Sequence, residues 1–104
     1  MTYENISPSE AKSRMDADPE AVIVDVRRPD EFVTGHIPGA LNVPPADIQD
    51  GNIPPCLADK NAVYLIYCRS GVRSVTAAVA LEKMGYTHLA NFGGILDWPY
   101  EIEH

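Results

Sequence analysis

The sequence predicts an α/β fold, with a mainly parallel sheet covered by helices on both faces. Strand-like and helix-like segments alternate along the 104 residues. Residues 21–26 and 62–67 are apolar runs rich in Val, Ile, Leu and Tyr, the mark of strands buried on both faces of a parallel sheet. The second run passes directly into a helical pattern over residues 70–84, which Gly85 ends.

Each element has a local cause. Residues 3–6 are expected to form a short first strand. Ser7-Pro8-Ser9-Glu10 then reads as a helix start, with Ser7 as N-cap, Pro8 at the first helical position and Glu10 closing a capping box. That helix runs through Ala11 and Met15 and stops before Pro19. The strand over 21–26 follows. Pro29-Asp30-Glu31-Phe32 begins a short helix with acidic residues in its first turn. Gly35-His36-Ile37-Pro38-Gly39 is a turn, and residues 40–43 are a short strand ended by Pro44-Pro45. Residues 46–49 form one helical turn, and 50–55 read as a surface loop. In the helix over 70–84 the apolar positions Val72, Val75, Ala78, Val79 and Leu81 keep helical spacing. Residues 88–91 are the last strand, and Gly93-Gly94 precede a final turn or short helix through Trp98. No repeat, low-complexity segment or internal linker interrupts the pattern, so residues 1–104 are expected to be a single domain.

Composition narrows the function. A net charge of −7 argues against non-specific binding to nucleic acid or an anionic membrane surface. No apolar run approaches the length of a membrane span. The N-terminus has no basic start and no apolar core of a signal peptide, so a free-standing cytoplasmic protein is expected. In a reducing cytoplasm the two cysteines, Cys56 and Cys68, stay free thiols. His36, His88 and His104 show no ligand spacing with one another or with cysteine, so no metal site is expected, and nothing in the sequence implies a cofactor.

The informative segment is Cys68-Arg69-Ser70-Gly71-Val72-Arg73-Ser74. It puts a thiol at the end of a buried strand, before a glycine-bearing turn and a helix N-terminus. Backbone N–H groups and the positive end of the helix dipole favour a thiolate there, and Arg69 and Arg73 add full charges. The carboxyl edge of an open parallel sheet is also where ligands bind.

The chain resembles a single-domain rhodanese, of the sulfurtransferase family. Four blocks carry the similarity: Val24-Asp25-Val26-Arg27 with Glu31-Phe32; residues 35–44; residues 67–74; and Gly93-Gly94 followed by Trp98. They cover nearly the whole chain from about Pro8 onward. The resemblance implies a three-layer rhodanese-like fold with a five-stranded, mostly parallel sheet flanked by helices. It implies that Cys68 takes a sulfane sulfur from a donor such as thiosulfate and passes it to cyanide or a thiol acceptor, among which thioredoxin or another protein thiol is a candidate. The loop residues Arg69, Ser70, Gly71, Val72 and Arg73 would then bind the anionic substrate. The chemistry suits the residues: thiosulfate is a dianion, sulfite leaves, and a persulfide is anionic, so amides and arginine stabilise each stage.

Loop length separates this reading from its neighbours. Cys68 to Arg73 is a C-x4-R spacing. Tyrosine phosphatases that share the fold use C-x5-R, which opens the cradle for a tetrahedral phosphate, so phosphatase or arsenate reductase activity ranks low. A persulfide carrier that docks a partner protein without fast turnover is the strongest alternative.

The remaining residues are weighed against structural roles. Arg69 is the better anion contact; Arg73 is as much a brace as a ligand. Ser70 or Ser74 is expected to cap the helix. Asp25, Arg27 and Glu31 form a charged group after the second strand, expected to fix the loop together with Ser74. His36 is expected to shape its turn, Trp98 and Tyr100 to pack, and Cys56 to be incidental.

Overall fold

The computed structural model describes residues 3–104. Its elements are β1 (Tyr3–Asn5), α1 (Pro8–Ala17), β2 (Val22–Asp25), α2 (Pro29–Phe32), β3 (Leu41–Asn42), α3 (Pro45–Gln49), β4 (Val63–Cys68), α4 (Val72–Lys83) and β5 (His88–Gly94), with 3-10 turns at Pro55–Leu57 and Ile95–Asp97. The five strands form one sheet in the order β1-β5-β4-β2-β3. Every pairing in it is parallel, so the expected mostly parallel sheet is parallel throughout. An antiparallel bridge between His36 and Glu103 lies outside it.

β4 is the central strand, and its alternation sorts the core. Tyr64, Ile66 and Cys68 join Val24, Val26 and Leu89 under Ala77, Ala78 and Leu81 of α4 and Ile48 of α3. Leu65 and Tyr67 join Ala90 and Phe92 on the opposite face, under Ala11 of α1 and Trp98. The period-two pattern therefore sends Cys68 to the α4 face, beside the start of that helix.

Local signals explain most boundaries. Ser7 caps α1, its Oγ accepting the Glu10 N–H at 3.1 Å. Only half of the expected capping box forms, because the Glu10 carboxylate turns instead to Arg14 Nη2 at 3.0 Å. Arg14 also takes Glu4 at 3.0 Å, and this partner across the sheet edge draws the side chains away from the cap. α3 starts at Pro45, one residue earlier than predicted, since proline fits the first helical position. The predicted loop over 50–55 holds to Pro54; Pro55 opens a 3-10 turn that buries Leu57. Tyr86 Oη donates to the Leu57 carbonyl and fixes that turn.

The largest boundary correction is at α4. It begins at Val72, not Ser70, because Gly71 stands in the left-handed region at φ +106° and serves as N-cap without any side-chain hydrogen bond. Neither Ser70 nor Ser74 caps the helix, contrary to expectation. β5 is also longer than residues 88–91, running to Gly94 and pairing there with Cys68.

Candidate active site

Cys68 ends the central strand, between Asp25, whose register partner is the preceding Tyr67, and Gly94 of β5. The chain then folds back over it through Arg69, Ser70 and Gly71. The Gly71 N–H donates to Cys68 Sγ at 2.9 Å. The thiol faces Ser74 Oγ at 3.6 Å. This leaves Cys68 only 1% exposed, so the predicted reactive thiol is roofed by its own loop. Burial alone pushes the thiol up; the Ser74 hydroxyl and the backbone N–H groups of Ser74, Gly71 and Ser70 outweigh it and hold the thiol below its ordinary value. The loop N–H groups, and the Ser74 hydroxyl when it turns to the ionised sulfur, favour the thiolate, with the arginines playing a smaller part than the sequence suggested.

The two arginines separate. Arg73 donates from Nη1 and Nη2 to Glu31 Oε1 at 2.6 Å and Oε2 at 3.0 Å, so it ties the first turn of α4 to α2. Glu31 Oε1 also accepts the Arg28 N–H at 3.0 Å, closing the start of α2. Hydrogen bonding from Arg73 outweighs burial and, with the Arg28 N–H, brings the Glu31 carboxyl down to about 2. Arg73 is therefore placed as a brace. Arg69 is exposed and forms no side-chain ion pair among the described residues. Val72, in the same loop, is 73% exposed.

Asp25 and Arg27, expected to act with Glu31, form a separate buried pair. Arg27 Nη2 lies 2.7 Å from Asp25 Oδ2, and the two side chains are 5% and 0% exposed. Arg27 Nη2 also donates to the Gly35 carbonyl at 2.7 Å, pinning the turn after α2. Asn42 Nδ2 donates to the Asp25 and Arg27 carbonyls at 3.1 and 2.9 Å. The charged cluster thus shapes the chain on the β2 side of Cys68. His36 stacks on Phe32 at 3.8 Å and holds Glu103 at 3.2 Å, in keeping with a structural place.

Two contributors were missed by sequence reasoning. A Cβ on Gly94 would stand 2.0 Å from the Arg69 carbonyl oxygen and 2.5 Å from Ser70 N, so β5 presses its backbone against the loop where only glycine fits. The Leu96 N–H donates to the same Arg69 carbonyl at 3.3 Å. The other is Asn91, whose Oδ1 accepts the Ser74 hydroxyl at 2.6 Å and the Gly93 N–H at 3.1 Å. A polar residue between Leu89-Ala90 and Phe92 was the available signal, and in the fold it is buried.

Cys56 is a free thiol, half-buried in the 3-10 turn, and burial pushes it up. No cluster of three or more His, Cys, Asp or Glu able to hold a metal occurs among the described residues. A cleft of about 770 Å³ lined by Lys12, Met15, Ile23, Trp98 and Tyr100, among others, shares no residue with the Cys68 loop. Lys12 in it is taken by Asp16 at 2.7 Å. No helix of the described residues is long and apolar enough to cross a membrane.

Fold and loop together define an α/β protein with a cradled thiol at the carboxyl edge of a parallel sheet. The rhodanese-like domain family matches residues 7–100. The thiosulfate sulfurtransferase PspE of Escherichia coli is 38% identical over 74 residues, 71% of this chain and 70% of that protein. A sulfurtransferase of Allochromatium vinosum is 42% identical over 94 residues, 86% of this chain and 83% of its own. The crystal structure of a rhodanese-like domain protein from Staphylococcus aureus superposes with a TM-score of 0.81 at 33% identity, covering 96% of each chain. The chain belongs to the rhodanese-like domain family and, with these relatives, to the sulfurtransferase class.

Proposed function

We propose that the chain moves a sulfane sulfur from thiosulfate, or from a persulfide donor, to cyanide or a thiol through Cys68. The observation that carries this is the seat of Cys68 Sγ: a strand end and a helix start meet at one sulfur, and the Gly71 N–H donates to it at 2.9 Å. The Cys68 thiolate attacks the outer sulfur of thiosulfate, a new S–S bond forms, and the old S–S bond breaks with its electron pair leaving on sulfite. The persulfide then yields its outer sulfur to cyanide or an acceptor thiolate, giving thiocyanate or a new persulfide and restoring the Cys68 thiolate. Charge is conserved at each step and no general base is required. Arg69, the exposed cation of the loop, attracts the dianionic donor, and the loop amides carry the persulfide charge. The name of PspE, a thiosulfate sulfurtransferase, supports thiosulfate as the donor to test first.

The burial of Cys68 favours a second reading on the same chemistry. A roofed persulfide is shielded from small nucleophiles, which suits a sulfur carrier that opens to a protein thiol such as thioredoxin. A reducing cytoplasm would keep either form of the protein active.

The test is intact mass after incubation with thiosulfate, and again after cyanide, on wild type and Cys68→Ser. One added sulfur on wild type alone, removed by cyanide as thiocyanate appears, is the expected result. Addition to Cys68→Ser, or to neither protein with any donor, would sink the mechanism. Fast discharge to cyanide marks an enzyme; slow discharge that a protein thiol accelerates marks a carrier.

A further inference from the structure

Ser74 Oγ carries one proton and has four neighbours that could take it. Asn91 Oδ1 is at 2.6 Å, the Gly71 carbonyl at 3.1 Å, the Gly93 carbonyl at 3.4 Å and Cys68 Sγ at 3.6 Å. The amide orientation of Asn91 is not free. The Gly93 N–H points at one atom of it from 3.1 Å, and only the oxygen can accept. The Nδ2 end donates to Asn5 Oδ1 at 3.1 Å. Asn91 Oδ1 is thus a fixed acceptor at the shortest distance, and it takes the Ser74 proton. What Ser74 then shows to Cys68 is a lone pair.

A lone pair suits a thiol, whose S–H donates to it, and repels a thiolate. The thiolate gains the Ser74 hydroxyl as a donor only when that proton turns from Asn91 to sulfur. We propose that Asn91 is a positioning residue: by holding the Ser74 proton it makes Ser74 an acceptor toward the resting thiol, and ionisation of Cys68 requires the hydroxyl to swing over. Asn91 thereby limits how far Ser74 favours the thiolate, while the loop N–H groups favour it in either hydroxyl orientation. The ionisable groups around the sulfur are arranged apart from this chain. Arg73 of α4 is taken by Glu31 of α2. Asp25 on β2 is taken by Arg27, Tyr67 precedes the thiol on β4, and Arg69 stands exposed on the loop. β5 presents no ionisable side chain from Leu89 to Gly94.

The inference rests on Cys68 as the reacting thiol, but its test does not depend on sulfur transfer. Thiolate absorbance against pH is read in a Cys56→Ser background, without any sulfur donor, for wild type, Asn91→Ala, Ser74→Ala and the double variant. Loss of Asn91 Oδ1 leaves the hydroxyl only neutral carbonyls and the sulfur, and a charged acceptor wins that competition. Asn91→Ala is therefore expected to move the Cys68 midpoint down by about one pH unit, the worth of one hydrogen bond to a charged group. In the Ser74→Ala background the same change is expected to move it not at all. Asn5→Ala, at an exposed position, loosens the Asn91 amide and should move the midpoint the same way by less. It keeps the question open to experiment should Asn91→Ala fail to fold. An Asn91→Ala shift that is absent, upward, or undiminished without Ser74 overturns the proposal. So does an unmoved midpoint in Asn5→Ala if that variant alone is folded.

Discussion

Glu31 and Arg73, forty-two positions apart in sequence, meet through two hydrogen bonds of 2.6 and 3.0 Å and lock α2 to the first turn of α4. The pair fixes the downstream end of the Cys68 loop while the pressure of Gly94 fixes its upstream end.

The brace has a pH signature. Its carboxyl lies at about 2 in the folded chain against an ordinary 4.5, so the folded state favours the charged form. The resulting stability is fully present above pH 4.5 and is lost as pH falls toward 2. The side chains are 21% and 34% exposed, and solvent screening keeps the contribution to about 1 kcal/mol. Glu31→Gln should unfold at lower denaturant than wild type at neutral pH, and the gap should close in acid. A gap that persists at pH 2 would contradict this.

Arg69 is expected to act on the donor. Arg69→Ala should raise KM for the thiosulfate dianion by about tenfold, the worth of one charge-assisted contact, while a singly charged alkyl persulfide donor loses less. Equal effects on both donors would remove Arg69 from anion binding.

Gly94 is expected to tolerate no side chain. Gly94→Ala puts a methyl 2.0 Å from the Arg69 carbonyl oxygen, so either the sheet end or the loop must shift. We expect about 3 kcal/mol or more of lost stability, or a folded protein with sulfur transfer cut by orders of magnitude. Wild-type activity with an unchanged melting temperature would show the contact to be yielding.

The Asp25–Arg27 pair is expected to behave as a buried one. Asp25→Ala should cost about 3–5 kcal/mol in thermal or denaturant unfolding, because it leaves Arg27 charged and enclosed. Asp25→Ala with Arg27→Met should recover most of the loss. Additive losses in the double variant would contradict a direct pair.

Much of this was legible in the chain. All five strands and all four helices were expected from the chain; for β4 and for the start of α1 the cause is local, since burial on two faces and capping are demands on residue type. The loop and its thiol were legible because residues 68–74 are contiguous. A distant partner took the capping box, as Glu4 drew Arg14 and with it Glu10, whereas the start of α4 moved for a local reason, the positive φ of Gly71.

The sequence by itself determined the α/β order, the thiol at a strand's carboxyl end and the C-x4-R loop length. Tertiary structure alone decided which charges are available to that thiol. Along the chain Arg69 is the better anion contact and Arg73 as much a brace as a ligand; in the fold Glu31 claims Arg73 and leaves Arg69 in solvent. It likewise decided that Ser74 faces Asn91 and that Gly94 bears on Arg69, because parallel pairing of β4 with β5 brings residues 17 to 25 positions apart into contact. Ionisation of a buried thiol depends on the donors within a few ångströms, and those neighbours are set by strand order and register, which no single segment encodes.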